Sequence, residues 1–213
     1  MKTLSRLSLL FILLTGTCAA TERPWGVEIN PYLLVGSVVD SEMNWFSGGI
    51  SRFIPGHALE LRLPVFYQSR GRDRDLIAGF SLRRYFPSRG RGLFPSREEM
   101  KVESWIKRTA EVLTGLIVPG YQAPGMRPFV GVTTRLYHSR DTVTDATRLG
   151  IGGTLGVRWF SSRRLYWGAD VTLGRYLLGD TDASAAVDRF ILPPYDGGKI
   201  MADFTFFQFG YRF

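Results

Sequence analysis

The last seven residues, FQFGYRF at positions 207–213, decide between two kinds of β fold. Four aromatic residues stand at alternate positions here, so on a strand they all project from one face. On a soluble sheet, four exposed aromatic side chains at an edge would promote aggregation. On a closed barrel in a membrane, they face lipid, and the last ones join an aromatic girdle at the interface. The stretch therefore favours a membrane barrel over a soluble β-sandwich.

The same two-residue period runs through most of the chain upstream of this stretch. It is clearest in residues 149–159, where large apolar residues alternate with Gly, Thr and Arg. A second face of Gly, Ser, Thr, Tyr and single charges suits a narrow polar lumen, with the apolar face turned to lipid. The pattern predicts eight strands, over 25–39, 44–54, 58–69, 75–87, 126–138, 148–160, 164–178 and 199–213.

The first twenty residues have the order of a secretory signal peptide. Lys2 and Arg6 precede an apolar run from Leu7 to Leu14, and small residues follow up to Ala20. We expect residues 1–20 to be removed on export and residues 21–213 to form the barrel. Lipid attachment at Cys18 is a weaker alternative, because residues 15–17 do not match the usual lipoprotein triplet.

Composition excludes several classes of function. Cys18 is the only cysteine and there are only two histidines, which argues against a disulfide scaffold, a thiol nucleophile and a metal site. The formal net charge is +8, but the basic residues are scattered and form no nucleic-acid-binding motif. No mature stretch offers about 18 consecutive apolar residues, so a helical membrane protein is excluded. We therefore expect no cofactor and no nucleic-acid partner.

The chain resembles the small eight-stranded outer-membrane β-barrels of Gram-negative bacteria, with OmpA/OmpX-type architecture. The resemblance rests on residues 84–86, 156–160 and 209–213, which close the fourth, sixth and last strands. It implies an all-β, antiparallel, transmembrane up-and-down barrel in the outer membrane, without enzymatic activity. It also implies that Phe209, Tyr211 and Phe213 form the signal read by the barrel assembly machinery, and that outer-membrane lipids and lipopolysaccharide are partners.

The connections follow the expected parity of such a barrel. With both termini in the periplasm, every second connection is a short periplasmic turn, as at Pro55–His57 and 161–163. The predicted outer loops are 40–43, 70–74, 138–147 and 179–198. Pro31 and Pro64 fall inside predicted strands, which indicates bulges or misplaced strand limits.

The insert at 88–125 departs from this pattern, since a tight periplasmic turn is expected there. Apolar residues recur at three- and four-residue steps in its middle, and Ser96 with Glu99 matches a capping box. This predicts an amphipathic helix over about 97–118. Its apolar face would cover the inner leaflet, the mouth of the barrel or a periplasmic partner. The alternative is an extra hairpin, which would give ten strands.

Charged residues collect on the predicted inner face. An eight-stranded barrel has an interior that side chains just fill, so ionised groups there must pair or stay hydrated. We expect a salt-bridge network that plugs the lumen, with Glu60 and Arg62 as a local pair; a gated path for ions is the alternative. The predicted lumen charges are Glu28, Glu60, Arg62, Arg83, Arg135, Arg158, Asp170 and Arg212.

No catalytic group is expected. His138 and Ser139 invite comparison with the outer-membrane lipid A deacylases, a lipid-modifying alternative whose His and Ser lie two apart on one strand. Here they are adjacent, so on a strand they would face opposite sides. His57 is expected in a solvent-facing turn. The run from Arg70 to Asp75 is read as a solvated loop tip, with contact to lipopolysaccharide phosphates as the alternative.

Overall fold

A computed structural model describes residues 24–31, 33, 42–86, 92–94, 125–142, 145–160, 164–180 and 199–213. Within these residues it has eight β-strands and one short 3-10 turn, Pro55–His57. The strands are β1 (Trp25–Ile29), β2 (Met43–Ile54), β3 (Leu59–Arg70), β4 (Asp73–Tyr85), β5 (Met126–Arg140), β6 (Asp145–Phe160), β7 (Leu165–Gly179) and β8 (Ile200–Arg212).

The eight strands form a closed barrel. Each strand pairs antiparallel with the next along the chain, and β1 also pairs with β8, with Gly26 opposite Arg212. The prediction of an all-β fold with eight antiparallel strands is confirmed. Because β4 pairs directly with β5 across the insert, with Arg84 opposite Val130, the ten-strand alternative is wrong for the ring that the described residues form.

The first strand is shorter than predicted. β1 ends at Ile29, and the backbone is helical at Pro31 and Leu33, so the prediction of a strand up to residue 39 is wrong at this point. Proline lacks the N–H that a ladder needs, which explains the limit. Pro64, in contrast, remains inside β3 and pairs with Gly49 of β2. Leu63 and Pro64 have no register partner on β4, and the register is the same on both sides of them.

Two outer connections are tighter than predicted. β3 and β4 meet at a two-residue turn, Gly71-Arg72, rather than the five-residue loop expected at 70–74. Gly71 has a φ of 60°, which glycine adopts without steric cost. β5 continues to Arg140 and β6 starts at Asp145, so His138 lies in a strand and not in a loop.

The interior contains polar residues between two aromatic clusters. We call the end of the barrel with Trp25 and the Pro55–His57 turn the lower end, and the end with the Gly71-Arg72 turn the upper end. The lower cluster contains Phe53, Tyr85, Phe129, Phe160 and Tyr166 with Leu93, and the upper cluster contains Ile77, Tyr137, Tyr176 and Met201. The outer surface carries exposed Leu, Ile, Val, Phe and Trp side chains on all eight strands.

Several predicted segments fall outside the described residues. They are the signal peptide at 1–20, residues 40–41 of the first outer loop, the insert helix at 97–118, the turn at 161–163, and the outer loop from 181 to 198. None of the helical segments that the structure describes is long and apolar enough to cross a membrane.

Candidate functional site in the barrel interior

All eight side chains that alternation assigns to the lumen are buried in the structure. They come from seven different strands and lie at three levels along the barrel. These residues are Glu28, Glu60, Arg62, Arg83, Arg135, Arg158, Asp170 and Arg212.

Glu28 on β1 is the centre of the middle level. Arg158 Nη2 lies 2.7 Å from its Oε1, and Arg62 Nε lies 3.0 Å from its Oε2. Tyr166 Oη donates to the Oε1 atom at 3.2 Å. Two cations and a phenol thus surround one carboxylate that is only 1% exposed, which satisfies the requirement that a buried charge be paired and hydrogen-bonded.

Glu60 on β3 is held in the same way. Tyr85 Oη donates to its Oε2, Arg83 Nη1 lies 3.7 Å from the same oxygen, and Arg158 Nη2 lies 3.5 Å from Oε1. Ser51 Oγ lies 2.6 Å from Glu60 Oε1 and 2.8 Å from Glu28 Oε1, so the hydroxyl can donate its one proton to either carboxylate. The Glu28 and Glu60 sites therefore form one network.

Arg83 extends this network across the lumen. Its Nη2 lies 2.9 Å from Asp170 Oδ2 on β7, and its guanidinium carbon lies 4.6 Å from the centroid of the Phe129 ring. Arg158 also reaches β8, where Nη1 donates to Gln208 Oε1 at 2.9 Å. Strands that are not neighbours in the sheet are thus cross-linked through the interior.

The predicted local pair between Glu60 and Arg62 is wrong. Arg62 bonds Glu28 instead, two strands away. Residues two apart on one strand stand about 7 Å apart and nearly parallel. Between Arg62 and Glu28 lie only Gly49 and Ser51 of β2, which leave room for the long side chain to reach across.

Glycines make room for the large inward side chains. A Cβ at Gly168 would collide with the Arg158 guanidinium, and one at Gly210 would collide with the Tyr166 ring. In each case the glycine is the register partner of the large residue on the neighbouring strand. The same pairing recurs at Arg83 with Gly131, Phe129 with Gly156, Tyr176 with Gly150 and Glu28 with Gly49.

The upper level contains three charged residues that the sequence analysis did not assign to the lumen: Asp75 and Arg148 are buried, and Asp203 is half-buried. Arg135 Nη2 lies 2.6 Å from Asp203 Oδ2. Asp75, read as part of a loop, is a buried residue of β4 that accepts from Gln68 Nε2 at 2.6 Å and from Tyr137 Oη at 2.7 Å. The guanidinium carbon of Arg148 lies between the Tyr137 and Tyr176 rings, 4.4 and 4.6 Å from their centroids, in cation–π geometry.

The lower level is closed by part of the insert. Phe94 packs against Phe53 and Phe160, with centroids 5.6 and 5.5 Å apart. Its ring lies 3.2 Å from the guanidinium carbon of Arg212. Arg127, a further buried arginine that was missed, donates from Nε to the carbonyl oxygen of Gly92 at 3.0 Å.

A small cavity of about 80 Å³ lies beside the charge network. Its lining includes Arg62, Arg83, Arg135, Asp170 and Asp203. A volume of this size with polar walls accommodates several water molecules.

Both histidines lie outside the barrel interior. On β5, Ser139 is buried in the interior, while His138 lies on the outer face with Nδ1 3.0 Å from Thr147 Oγ1. His57 is exposed in its turn. Within the described part of the chain, no group of three or more His, Cys, Asp or Glu residues is arranged to hold a metal ion.

The C-terminal aromatic residues lie on the outside of the lower end. Phe209 packs edge-on against Trp167 with centroids 5.7 Å apart, and Trp167 stacks on Trp159 at 5.9 Å. Tyr211 Oη accepts from Arg164 Nη1 at 3.1 Å. The Phe213 amide donates to the carbonyl oxygen of Trp25 at 3.0 Å, which fixes the end of β8 to β1.

Fold and interior together define a closed eight-stranded β-barrel with a polar, cross-linked lumen. No protein-family model matches the sequence, and no curated protein matches it either. Among solved structures, the N-terminal β-barrel domain of OprF from Pseudomonas aeruginosa is similar, with 10% identity and a TM-score of 0.40. The match covers 90% of this chain and 98% of that domain. At this identity and TM-score, the similarity says nothing about the activity of this chain.

Proposed function

We propose that the chain is an integral β-barrel of the Gram-negative outer membrane, with a non-enzymatic structural or surface-interaction role. Its lumen is plugged by the network of paired charges. In this arrangement the lower end of the barrel, where β1 begins and β8 ends, faces the periplasm, and the upper end faces the cell exterior.

This proposal rests on where polar and apolar side chains lie, since charged residues are buried inside the barrel and apolar residues are exposed on its outside. In water, burial of apolar groups drives folding, so a soluble protein does not bury eleven charged side chains while leaving its leucines exposed. In lipid the preference is reversed, and a closed barrel satisfies every backbone group. The exposed apolar residues include Ile50, Leu63, Phe80, Leu82, Val132, Leu136, Ile151, Leu155, Leu173 and Phe207.

The interior supports a plugged lumen more than an open path. Arg158 alone touches Glu28, Glu60 and Gln208, which belong to three other strands. Removing one partner from such a buried pair costs about 3–5 kcal/mol, so breaking these ion pairs to open a path through the lumen is unfavourable. Below it, Phe53, Phe94 and Phe160 fill the lower mouth.

The outer surface supports the proposed partners. The aromatic side chains of Trp159, Trp167 and Phe209 form a patch at the lower rim, as expected at a lipid interface. We assign Phe209, Tyr211 and Phe213 as the signal for the barrel assembly machinery. The insert, whose predicted helix spans 97–118, remains the candidate contact for a periplasmic partner.

Two measurements on one preparation test this function. Outer membranes from cells with and without the protein are compared by lipid A mass spectrometry, and the folded barrel is identified by its heat-modifiable migration on a gel. The refolded protein is then recorded in planar bilayers. We expect a heat-modifiable band in the outer-membrane fraction, unchanged lipid A and no steady conductance. A lost or added acyl chain would establish the enzyme alternative, and a steady conductance would establish the channel.

A further inference from the structure

Two arginines on the outer face of the upper end lie directly opposite each other. Arg74 of β4 is the register partner of Arg140 of β5, and both side chains are exposed. The Cβ atoms of such partners are about 5 Å apart, and like charges in this position are destabilising. Two arginines at these partner positions therefore do not stabilise the fold.

A nearby carboxylate neutralises only part of the positive charge of the two arginines. Asp145, the partner of Arg140 on β6, approaches Arg140 Nε at 3.9 Å, and both side chains are more than half exposed. An exposed pair at that distance contributes little. Arg74 forms no ion pair with any residue in the part of the chain that the structure describes. Among the residues that the structure describes, Asp145 is thus the only carboxylate that forms an ion pair with either guanidinium group.

The position of the pair relative to the apolar surface indicates what its ligand is. Two residues further down each strand lie Leu76 and His138, and two residues below those lie Ala78 and Leu136. At about 3.3 Å per residue, the arginines stand roughly 7 Å above the first of these rows and twice that above the second. Leu76 and Leu136 are exposed, so the pair lies just beyond the apolar belt, at head-group level.

We propose that Arg74 and Arg140 form a binding site for a head-group phosphate of an outer-leaflet lipid, namely the phosphorylated glycolipid lipid A. A phosphate monoester carries close to two negative charges and accepts charge-assisted hydrogen bonds from two guanidinium groups at once. Its binding removes the repulsion between the arginines. The inference rests on the proposed membrane location, and it adds a specific lipid site to it.

Arg84 provides a matched control on the same strand and face. It is exposed at the lower end of β4, where its register partners are Leu59 and Val130, so it is a single arginine and not a pair. A general attraction of the protein to anionic lipid would involve Arg84 as much as Arg74.

The full mature protein is refolded into phosphatidylcholine vesicles that contain a minor fraction of lipid A, dephosphorylated lipid A or phosphatidylglycerol. Lipid retained after extraction into detergent is counted by native mass spectrometry. We expect the protein to retain lipid A over the other two lipids. Arg74→Gln and Arg140→Gln should each weaken this retention at least about tenfold, the loss expected for one charge-assisted hydrogen bond. Arg84→Gln should leave it unchanged, and Asp145→Asn should strengthen it.

The inference is overturned if dephosphorylated lipid A or phosphatidylglycerol is retained equally well. It is also overturned if the Arg84 variant loses as much lipid as the Arg74 variant. Heat-modifiable migration of each variant separates these outcomes from a failure to fold. A wild-type protein that enters none of the vesicles would instead refute the proposed membrane location.

Discussion

Arg158 on β6 and Glu28 on β1 form a buried ion pair, with 2.7 Å between Nη2 and Oε1, although their strands lie three positions apart around the barrel. The pair therefore crosses the lumen and does not follow the sheet. The same Nη2 atom also lies 3.5 Å from Glu60 Oε1 on β3. The Nη1 atom of Arg158 also donates to Gln208 on β8, so one guanidinium ties four strands together, and its removal has consequences on both sides of the barrel.

Arg158→Leu should destabilise the barrel strongly. It leaves Glu28 and Glu60 with less cationic compensation in the interior, which costs about 3–5 kcal/mol in comparable buried pairs. Urea unfolding in lipid vesicles measures this as a change in the free energy of unfolding. Arg84→Leu, at an exposed position, should change it by no more than about 0.5 kcal/mol. If both substitutions changed the free energy of unfolding equally, the buried Arg158 would contribute no more to stability than an exposed arginine.

Gly210→Ala should lower the free energy of unfolding. A Cβ at this position overlaps the Tyr166 ring, and forced packing of this kind costs about 1–3 kcal/mol. Gly153 supplies the control, because a Cβ there meets nothing within 4 Å. Gly153→Ala should be neutral or stabilising by up to about 1 kcal/mol, since alanine loses less backbone entropy. The same urea titration compares them, and a tolerated alanine at 210 would contradict the packing described.

In the proposed membrane barrel, Leu155→Arg should be costly because position 155 would lie deep in the bilayer. Leu155 is 63% exposed near the middle of β6, where a lipid-facing arginine costs about 2–4 kcal/mol. Leu178→Arg is the control: it is equally exposed but lies at the upper end of β7, where the cost falls to about 0–1 kcal/mol. Unfolding in vesicles gives both values. In a barrel surrounded by water, neither substitution would matter, and that result would refute the membrane location.

Phe213→Ala should impair assembly in cells more than stability in vitro. We expect less heat-modifiable barrel in the outer-membrane fraction, while the protein refolded into vesicles unfolds at nearly the same urea concentration. Phe86→Ala removes another exposed aromatic residue at the lower end and should leave cellular assembly unchanged. A parallel loss of assembly and stability in Phe213→Ala would indicate a packing role and not a signal.

Alternation along the strands was sufficient to predict the ring and most of the interior. The same alternation also assigns Arg127 and Arg148 to the lumen, so the sequence carried a signal for both. Asp75 was the first residue of the predicted strand 75–87 but was assigned to the charged loop tip before it. The two-residue turn starts β4 at Asp73, so Asp75 lies inside the strand and is buried.

Asp203 could not be found in this way. Counting back from Arg212 in steps of two places Asp203 on the outer face. The β7–β8 register shifts by one residue between Gly168 and Asp170, and Phe207 takes a φ of 57°. This bulge reverses the faces, so that Asp203 points inward to Arg135 while Arg212 also points inward. Nothing in a two-residue pattern reveals a bulge, and nothing in it shows that Leu93 and Phe94 fill the lower mouth.

Single thiols on the two faces of β6 test the central claim most directly. Cys18, the only cysteine in the sequence, lies in the predicted signal peptide, so an introduced cysteine is the sole target in the mature chain. Thr154→Cys reports on the lumen, where Thr154 bonds Thr172 at 2.8 Å, and Leu155→Cys reports on the outer face. Thr142→Cys, at an exposed residue of the β5–β6 connection, is the positive control.

Each variant is refolded into vesicles and treated with a charged, water-soluble thiol reagent. A plugged barrel embedded in lipid predicts that Thr142→Cys reacts rapidly, while Thr154→Cys and Leu155→Cys both stay unmodified. Rapid reaction at position 154 would mean an open, wet lumen. Rapid reaction at position 155 would mean a barrel surrounded by water, and either result contradicts the account.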